Sequence, residues 1–102
     1  MEKVFEIVEV AKQTGAIKRG ANEVTKALER GKAKFVVIAK DVTPPEIVMH
    51  LPLLAKEKGV PFAEVEKKVD LGAAAGLPLG TAAVAVVKEG DAKDLIKQFK
   101  AE

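Results

Sequence analysis

Cysteine, tyrosine and tryptophan are absent from this chain of 102 residues, and histidine occurs once, as His50. Without cysteine there is no disulfide framework, thiolate metal site or cysteine nucleophile, which fits a reducing cytoplasm. A single histidine has no second His or Cys with which to bind zinc or share acid–base chemistry. No phosphate-binding glycine fingerprint is present. We therefore predict no enzyme activity, no cofactor, no metal and no small-molecule substrate.

Aromatic residues are scarce, and all four are phenylalanines: Phe5, Phe35, Phe62 and Phe99. Proteins that hold single-stranded RNA by base stacking usually display several exposed rings. Each phenylalanine here falls within a periodic apolar pattern, so we expect the rings to lie in the core. Aromatic stacking is therefore not the expected mode of binding.

Long hydrophobic runs are also missing, because no apolar segment approaches the roughly 20 residues that a membrane-spanning helix needs. The N-terminal segment carries charge at once and lacks a signal-peptide core. We expect a cytoplasmic protein without a membrane partner. The length fits one domain, residues 1–102, and a hydrophobic content of 48% is enough to build its core.

Charge is nearly balanced over the whole chain, with 17 basic and 15 acidic residues, but its distribution is uneven. From Lys18 to Lys34 there are six basic residues and two acidic ones, whereas from Asp41 to Glu66 there are five acidic residues and two basic ones. Opposite poles on a small domain suit a polyanion that contacts one end only. Charge density alone is equally compatible with a second interpretation, in which the basic residues simply form a solvent-exposed helix face. The basic residues of the first segment are Lys18, Arg19, Lys26, Arg30, Lys32 and Lys34.

Helical and extended patterns alternate along the chain. The predicted helices cover residues 2–14, 22–30, 43–59, 67–75 and 91–100. The predicted strands cover residues 35–39, 61–65 and 83–87, with a short extended piece at 16–19. In the third helix, Thr43 is the expected N-cap and Pro52 the expected site of a bend. This alternation predicts an α/β fold, a three-layer α/β/α sandwich with a small mixed sheet, whose ligands meet the loops at strand and helix ends.

The segment Gly20–Lys26 opens the second predicted helix. A helix N-terminus offers unpaired N–H groups and partial positive charge, which suit a phosphate. Asn22 has an amide that donates and accepts hydrogen bonds, Glu23 accepts them, and Lys26 lies on the same helical face. The alternative interpretation is an asparagine N-cap followed by a first-turn glutamate that the helix dipole favours.

A carboxylate such as that of Glu23 is useful in an RNA site only if it accepts from a base donor. Guanine N1–H and N2–H and the cytosine amino group are such donors. Ordinary A-form RNA has a deep, narrow major groove that side chains do not read. The expected target is therefore a distorted RNA helix whose groove has opened.

Four segments, at residues 17–26, 35–39, 45–54 and 70–72, carry a recognisable pattern, and the Gly-Ala-Asn-Glu-Val-Thr-Lys block at 20–26 is its most specific part. The chain resembles the archaeal ribosomal protein L-seven-Ae family of kink-turn RNA-binding proteins. The resemblance implies recognition of a kink-turn, a sharply bent RNA helix with tandem sheared G·A pairs, in ribosomal RNA or box C/D-type guide RNA. It also implies other ribonucleoprotein proteins as partners, in particles whose assembly the chain nucleates.

The resemblance implies a role for particular residues. Asn22, Glu23 and Lys26 match positions that contact the G·A guanines and the adjacent backbone. Lys68 matches a position near the bulged nucleotides. The loop at 77–79 matches a loop that packs against unstacked bases. The expected RNA-binding residues are Lys18, Arg19, Gly20, Ala21, Asn22, Glu23, Lys26, Arg30, Lys32, Lys68, Leu77, Pro78 and Leu79.

Two alternatives remain open. Thr43 stands where relatives often carry an acidic residue, and Pro78 and Leu79 stand where many carry Glu-Val or Ser-Arg. A diverged or redesigned relative with an altered RNA preference is therefore the first alternative. Exposed apolar residues on the loop at 76–80 suggest contact with bases or with protein. A protein-interaction or oligomerisation module on the same fold is the second alternative.

Overall fold

The computed structural model describes residues 2–101, over which helices and strands follow the predicted order. The helices are α1 (Glu2–Thr14), α2 (Ala21–Glu29), α3 (His50–Glu57), α4 (Lys68–Ala74) and α5 (Lys93–Ala101). The strands are β1 (Ala16–Arg19), β2 (Phe35–Ala39), β3 (Phe62–Val65) and β4 (Ala83–Lys88). Short 3-10 turns at Pro45–Ile47 and Gly90–Ala92 precede α3 and α5.

The strands form one mixed sheet in the order β1-β4-β2-β3. Strand β4 pairs antiparallel with both β1 and β2, whereas β2 and β3 are parallel. These directions bring the C-terminal ends of β1, β2 and β3 to the same end of the sheet as the start of β4. We call this the upper end and the opposite one the lower end. The predicted α/β fold with a mixed sheet is confirmed.

The core surrounds β2, whose five residues are all buried because helices cover both faces of the sheet. Helices α1 and α4 contact the sheet and each other, and α5 packs against α1. Helix α2 packs on β1 and β4 and contacts α3. Phe35 is fully buried and meets Phe99 edge to face, with ring centroids 5.1 Å apart. Phe5 and Phe62 are partly buried against the same core, so the core location predicted for the phenylalanines is confirmed.

Two predicted details of the third helix are wrong. Thr43 does not cap it, because Pro45–Ile47 forms a 3-10 turn and α3 begins only at His50. The residue before a proline is disfavoured in the helical region, and Pro44 is accordingly extended (φ −72°, ψ 151°). Pro52 lies in the first turn of α3, where its missing N–H removes no helical hydrogen bond. The expected bend at Pro52 therefore has no physical basis.

Among residues 2–101, no helix has both the length and the apolar character that crossing a bilayer requires.

Candidate functional site

Strand β1 turns directly into α2 at Gly20, which is the N-cap of the helix. Its φ of +95° with ψ of 150° belongs to a region essentially restricted to glycine. The Gly20 N–H donates to the Ala83 carbonyl at 2.8 Å, and the Gly20 carbonyl accepts from the Val24 N–H at 3.0 Å. The start of α2 is thereby anchored to the upper end of β4. Because glycine has no side chain with which to cap the helix, the first-turn N–H groups stay available to a ligand.

Asn22 and Glu23 lie in the first turn of α2, and both side chains are exposed. The interpretation of Asn22 as the N-cap is wrong, because the conformation of Gly20 starts the helix at Ala21. Val24, like Ala27 and Leu28, is buried against the core, so the opposite face of α2 is turned outward. An amide and a carboxylate thus stand side by side in solvent at an uncapped helix N-terminus.

The Glu23 carboxylate has an ion-pair partner on its own helix. Its Oε2 lies 3.4 Å from the Nζ of Lys26, and the two side chains are 48% and 55% exposed respectively. An exposed pair at this spacing contributes only about 0–1 kcal/mol. The pair therefore leaves both groups free to change partners when a ligand arrives.

Thr25 and His50 connect α2 to the start of α3. The Thr25 hydroxyl donates to the Ala21 carbonyl at 2.7 Å and lies 2.8 Å from the Nε2 of His50. Because a hydroxyl has one hydrogen, Nε2 of His50 is the donor in the second bond. This bond braces the first turn of α2 from outside. Sequence reasoning missed it, since the two residues are 25 positions apart and no local pattern joins them.

Lys68 begins α4 at the upper end, and its backbone holds two neighbouring loops. The Lys68 N–H donates to Oδ1 of Asp41, in the loop after β2, at 2.8 Å. Its carbonyl accepts from the Thr81 N–H at 3.1 Å, which draws in the segment before β4. Asp41 therefore acts as a helix cap from a distant loop, a role that no spacing in the sequence indicates. The Lys68 side chain remains exposed.

The loop at 76–80 folds back on α4. The Leu77 N–H donates to the Gly72 carbonyl at 2.9 Å, and a Cβ at position 72 would overlap the Leu79 carbonyl oxygen. Glycine at 72 is therefore required for this close approach. At the tip, Leu79 is 77% exposed, and Val69 on α4 is 62% exposed. These backbone contacts place exposed apolar side chains at the upper end.

The expected RNA-binding residues divide into two groups in space. Gly20–Glu23, Lys68 and the loop at 77–79 lie at the upper end of the sheet. Four of the remaining expected cations, Lys18, Lys26, Arg30 and Lys32, line an open groove of about 460 Å³ that runs beside α2, which we call the α2 groove. Arg19 is not in its lining. Its basic residues are Lys18, Lys26, Arg30, Lys32, Lys34 and Lys88. Lys88, which lies far from the others in sequence, was not among the expected residues.

Arg19 has a contact within the protein that the sequence did not predict. Its Nε donates to the Ala75 carbonyl at 2.9 Å, at the C-terminal end of α4. The loop at 76–80 starts at the next residue. Arg19 therefore helps to position that loop, in addition to contributing charge.

The acidic residues between Asp41 and Glu66 do not all lie at one end of the sheet. Asp41 and Glu66 lie at the upper end, close to the candidate site, where Asp41 accepts from the Lys68 N–H and Glu66 pairs with Lys40 at 3.4 Å. Glu57 ends α3, which returns the chain to the lower end. The crossover from β2 to β3 separates residues that are neighbours in sequence. The expected pole of negative charge remains a prediction.

Comparison with known proteins bears on these assignments. Residues 2–96 match the sequence model of the family described as Ribosomal protein L7Ae/L30e/S12e/Gadd45 family. The structure is similar to that of the Giardia lamblia 15.5kD RNA binding protein, with a TM-score of 0.92 and 36% sequence identity over 98% of this chain and 83% of that one. The predicted resemblance is confirmed. The chain belongs to the ribosomal protein L7Ae/L30e/S12e/Gadd45 family.

Proposed function

We propose that this chain binds RNA and recognises a kink-turn with tandem sheared G·A pairs through the first turn of α2. The observation that carries the proposal is the exposure of Asn22 and Glu23 at a helix N-terminus without a side-chain cap. The similar Giardia lamblia structure is named as an RNA binding protein, which supports an RNA ligand. A binding role needs no catalytic group, and the absence of enzyme activity remains a prediction.

In this proposal, the Glu23 carboxylate accepts hydrogen bonds from guanine N1–H and N2–H, and the Asn22 amide donates to and accepts from the partner base. Each good bidentate contact of this kind discriminates by about 1–3 kcal/mol. Breaking the exposed pair between Glu23 and Lys26 costs at most about 1 kcal/mol. The contact with guanine is therefore worth more than the ion pair, so Glu23 exchanges Lys26 for the base. The Lys26 ammonium is then available to bind a phosphate.

Hydrogen bonds that tie the first turn of α2 to neighbouring elements support selectivity. Gly20 ties the start of α2 to β4, and the bond from His50 to Thr25 ties its first turn to α3. Each side chain or loop that is ordered only on binding lowers affinity by about 0.5–1.5 kcal/mol. A braced first turn avoids much of that loss and holds Asn22 and Glu23 at a fixed spacing.

A second contact completes the proposed interface. A kink expels nucleotides from the stack, and the exposed Leu79, with Leu77 and Pro78, offers them an apolar surface at the upper end of the sheet. Lys68 brings a cation to the same end. The backbone bonds that hold this loop against α4 keep the surface in place without RNA.

The proposed mechanism is a population shift. Free kink-turn RNA exchanges between extended and bent forms, and a protein that binds only the bent form stabilises it. The bent RNA then presents its two arms in a fixed geometry to later partners. In this way the chain would nucleate assembly of ribosomal or box C/D-type ribonucleoprotein particles.

The proposal is tested by binding isotherms for a kink-turn RNA and for a duplex of equal length with Watson–Crick pairs in place of the G·A pairs. Two bidentate contacts at about 1–3 kcal/mol each predict a preference of at least roughly thirtyfold for the kink-turn. Fluorescence energy transfer between the two RNA arms should rise as the complex forms. Equal affinity for the two RNAs would contradict the proposal.

A protein-interaction module is the second candidate, and the exposure of Leu79 favours it as much as it favours contact with bases. Solution size in the absence of RNA distinguishes the two. A monomer at micromolar concentration fits the RNA interface, whereas a dimer that Leu79→Asp dissociates fits the interaction module.

A further inference from the structure

The lower end of the sheet carries a second basic surface. An open groove, which we call the lower groove, lies among the ends of α2 and α3, the start of β3 and the helix α5. Its basic residues are Lys34, Lys58, Lys97 and Lys100, and the one acidic residue in its lining is Glu89. All four lysine side chains are exposed. In the described part of the chain, none of their amines lies within 4.0 Å of a carboxylate oxygen.

The lower groove continues the α2 groove, since Gly31 and Lys34 line both. Together the two linings contain nine basic residues and two acidic ones, Glu23 and Glu89. The whole chain has a net charge of only +2, so this is a local concentration of positive charge. It runs without a break from Lys26, beside the candidate site, to Lys97 on α5. The partner it suits is a long polyanion and not a compact anion.

The chemistry of the two grooves points to a phosphate backbone in a duplex. Neither lining includes an aromatic ring on which an unpaired base would stack. Lysine ammonium groups on flexible stems bind phosphates as point charges without base readout. The longest dimension of the molecule is 34 Å, which about 10 base pairs span at roughly 3 Å per pair. A stem of that length is enough to reach from the upper end to the lower one.

We propose that the lower groove binds the phosphate backbone of the RNA whose kink occupies the first turn of α2, so that one stem of that RNA is held along both grooves. This inference rests on the proposed function and adds a second contact region at the opposite end of the sheet. The contact is independent of base sequence. It lengthens the RNA footprint and holds the stem in a fixed direction relative to the protein.

The test uses two RNAs with the same kink-turn, one with short stems of about 6 base pairs and one with long stems of about 16, since about 10 further pairs cover the protein. The test variant combines Lys58→Gln with Lys97→Gln. The control combines Lys56→Gln with Lys93→Gln, which removes the same charge from the C-terminal end of α3 and from α5 but outside both groove linings.

The wild-type chain should bind the long RNA about tenfold more tightly than the short one at low salt, and the control variant should keep that difference. The test variant should lose most of it. Its plot of log affinity against log salt concentration for the long RNA should also be shallower by about 2, because each phosphate contact contributes roughly 0.9 to the slope.

Equal affinity of the wild-type chain for long and short kink-turn RNAs would overturn the lower-groove proposal while leaving kink-turn recognition intact. The proposal would also be overturned if the control variant lost as much of the preference for the long RNA as the test variant. Net charge alone would then explain the tighter binding of the long RNA. Failure of the proposed function looks different. In that case the short kink-turn RNA binds no better than its Watson–Crick counterpart of equal length.

Discussion

The first turn of α2 and the groove along the same helix differ in the kind of contact they offer. Asn22 and Glu23 present directional donors and acceptors on a braced backbone, whereas Arg30, Lys32 and Lys34 present charge on long, flexible side chains. Directional groups discriminate between bases, and flexible cations attract any phosphate. In the proposed complex, selectivity would therefore come from the first turn of α2, and general affinity from cations at and beyond the C-terminal end of that helix.

The two regions also differ in how they respond to conditions. Hydrogen bonds between a carboxylate and guanine depend weakly on salt, whereas phosphate contacts weaken as counterions accumulate around the RNA. Raising the salt concentration should therefore lower the affinity for all RNAs while preserving most of the preference for the kink-turn. Each variant below changes the first turn of α2, the apolar loop at 76–80 or the α2 groove, and leaves the other two in place.

The largest effect is expected for Glu23→Ala, which removes the acceptor from the first turn of α2. Affinity for the kink-turn should fall by about 100-fold, the equivalent of roughly 2.7 kcal/mol, and the preference over the Watson–Crick duplex should shrink to what the Asn22 contact alone provides. Glu29→Ala is the matched control, because Glu29 is an exposed acid at the other end of α2. Gel-shift titration measures both, and unchanged kink-turn affinity of Glu23→Ala would refute the role of this carboxylate.

Gly20→Ala should affect the brace beneath the selective region. The φ and ψ of Gly20 lie where a Cβ is strained, so the free energy of unfolding should fall by about 1–3 kcal/mol. No atom lies within 4 Å of the added Cβ, so backbone strain is the cause. Gly31→Ala is the comparison. A Cβ at position 31 would also meet no atom within 4 Å, but the φ of Gly31, +69°, is one that other residues adopt more easily. Chemical denaturation should show the larger loss at position 20.

Leu79→Asp should test the apolar loop at the upper end. Because Leu79 is 77% exposed, its replacement should leave the melting temperature nearly unchanged while kink-turn affinity falls by about tenfold. Leu53→Asp serves as control, since Leu53 is 64% exposed on α3 and away from the loop. A fall in affinity of the same size in both variants would show that added negative charge, and not the loop, is responsible.

The smallest effect is expected for Lys32→Gln in the α2 groove. Kink-turn and Watson–Crick RNAs should both bind about three- to fivefold more weakly, and the slope of log affinity against log salt should become shallower by about 1. Lys56→Gln, outside both grooves, should change neither quantity. A loss confined to the kink-turn RNA would place Lys32 in selective recognition and contradict the division between the two regions.

Much of the fold followed from local pattern. The β-branched run at 35–39 and the helical spacing of apolar residues in α1 and α2 predicted elements close to those observed, because strand and helix periodicity bury one face or both. The predicted N-cap at Thr43 was wrong because the two prolines that follow it have opposing effects on helix formation. Proline is favoured at a helix start, yet it holds the preceding residue extended, and tertiary structure decided for a 3-10 turn.

The part of the candidate site that lies on α2 was predicted from the sequence, and the residues that other elements contribute were not. Asn22, Glu23 and Lys26 lie within one helical turn, so their spacing alone places them on one face. Asp41, His50 and Lys88 escaped prediction, because each enters the site or its groove from an element distant in sequence.

The order of elements, the exposed face of α2 and the family membership of this chain are encoded locally, in the periodicity of apolar residues and in the block at 20–26. Tertiary structure alone decided that Gly20 is the N-cap of α2, that His50 and Asp41 brace the upper end, and that lysines from α2, β4, α5 and the segments after α2 and α3 form one continuous basic surface. The physical reason is that periodicity acts over a few residues, whereas the direction in which strands pair determines which distant loops meet.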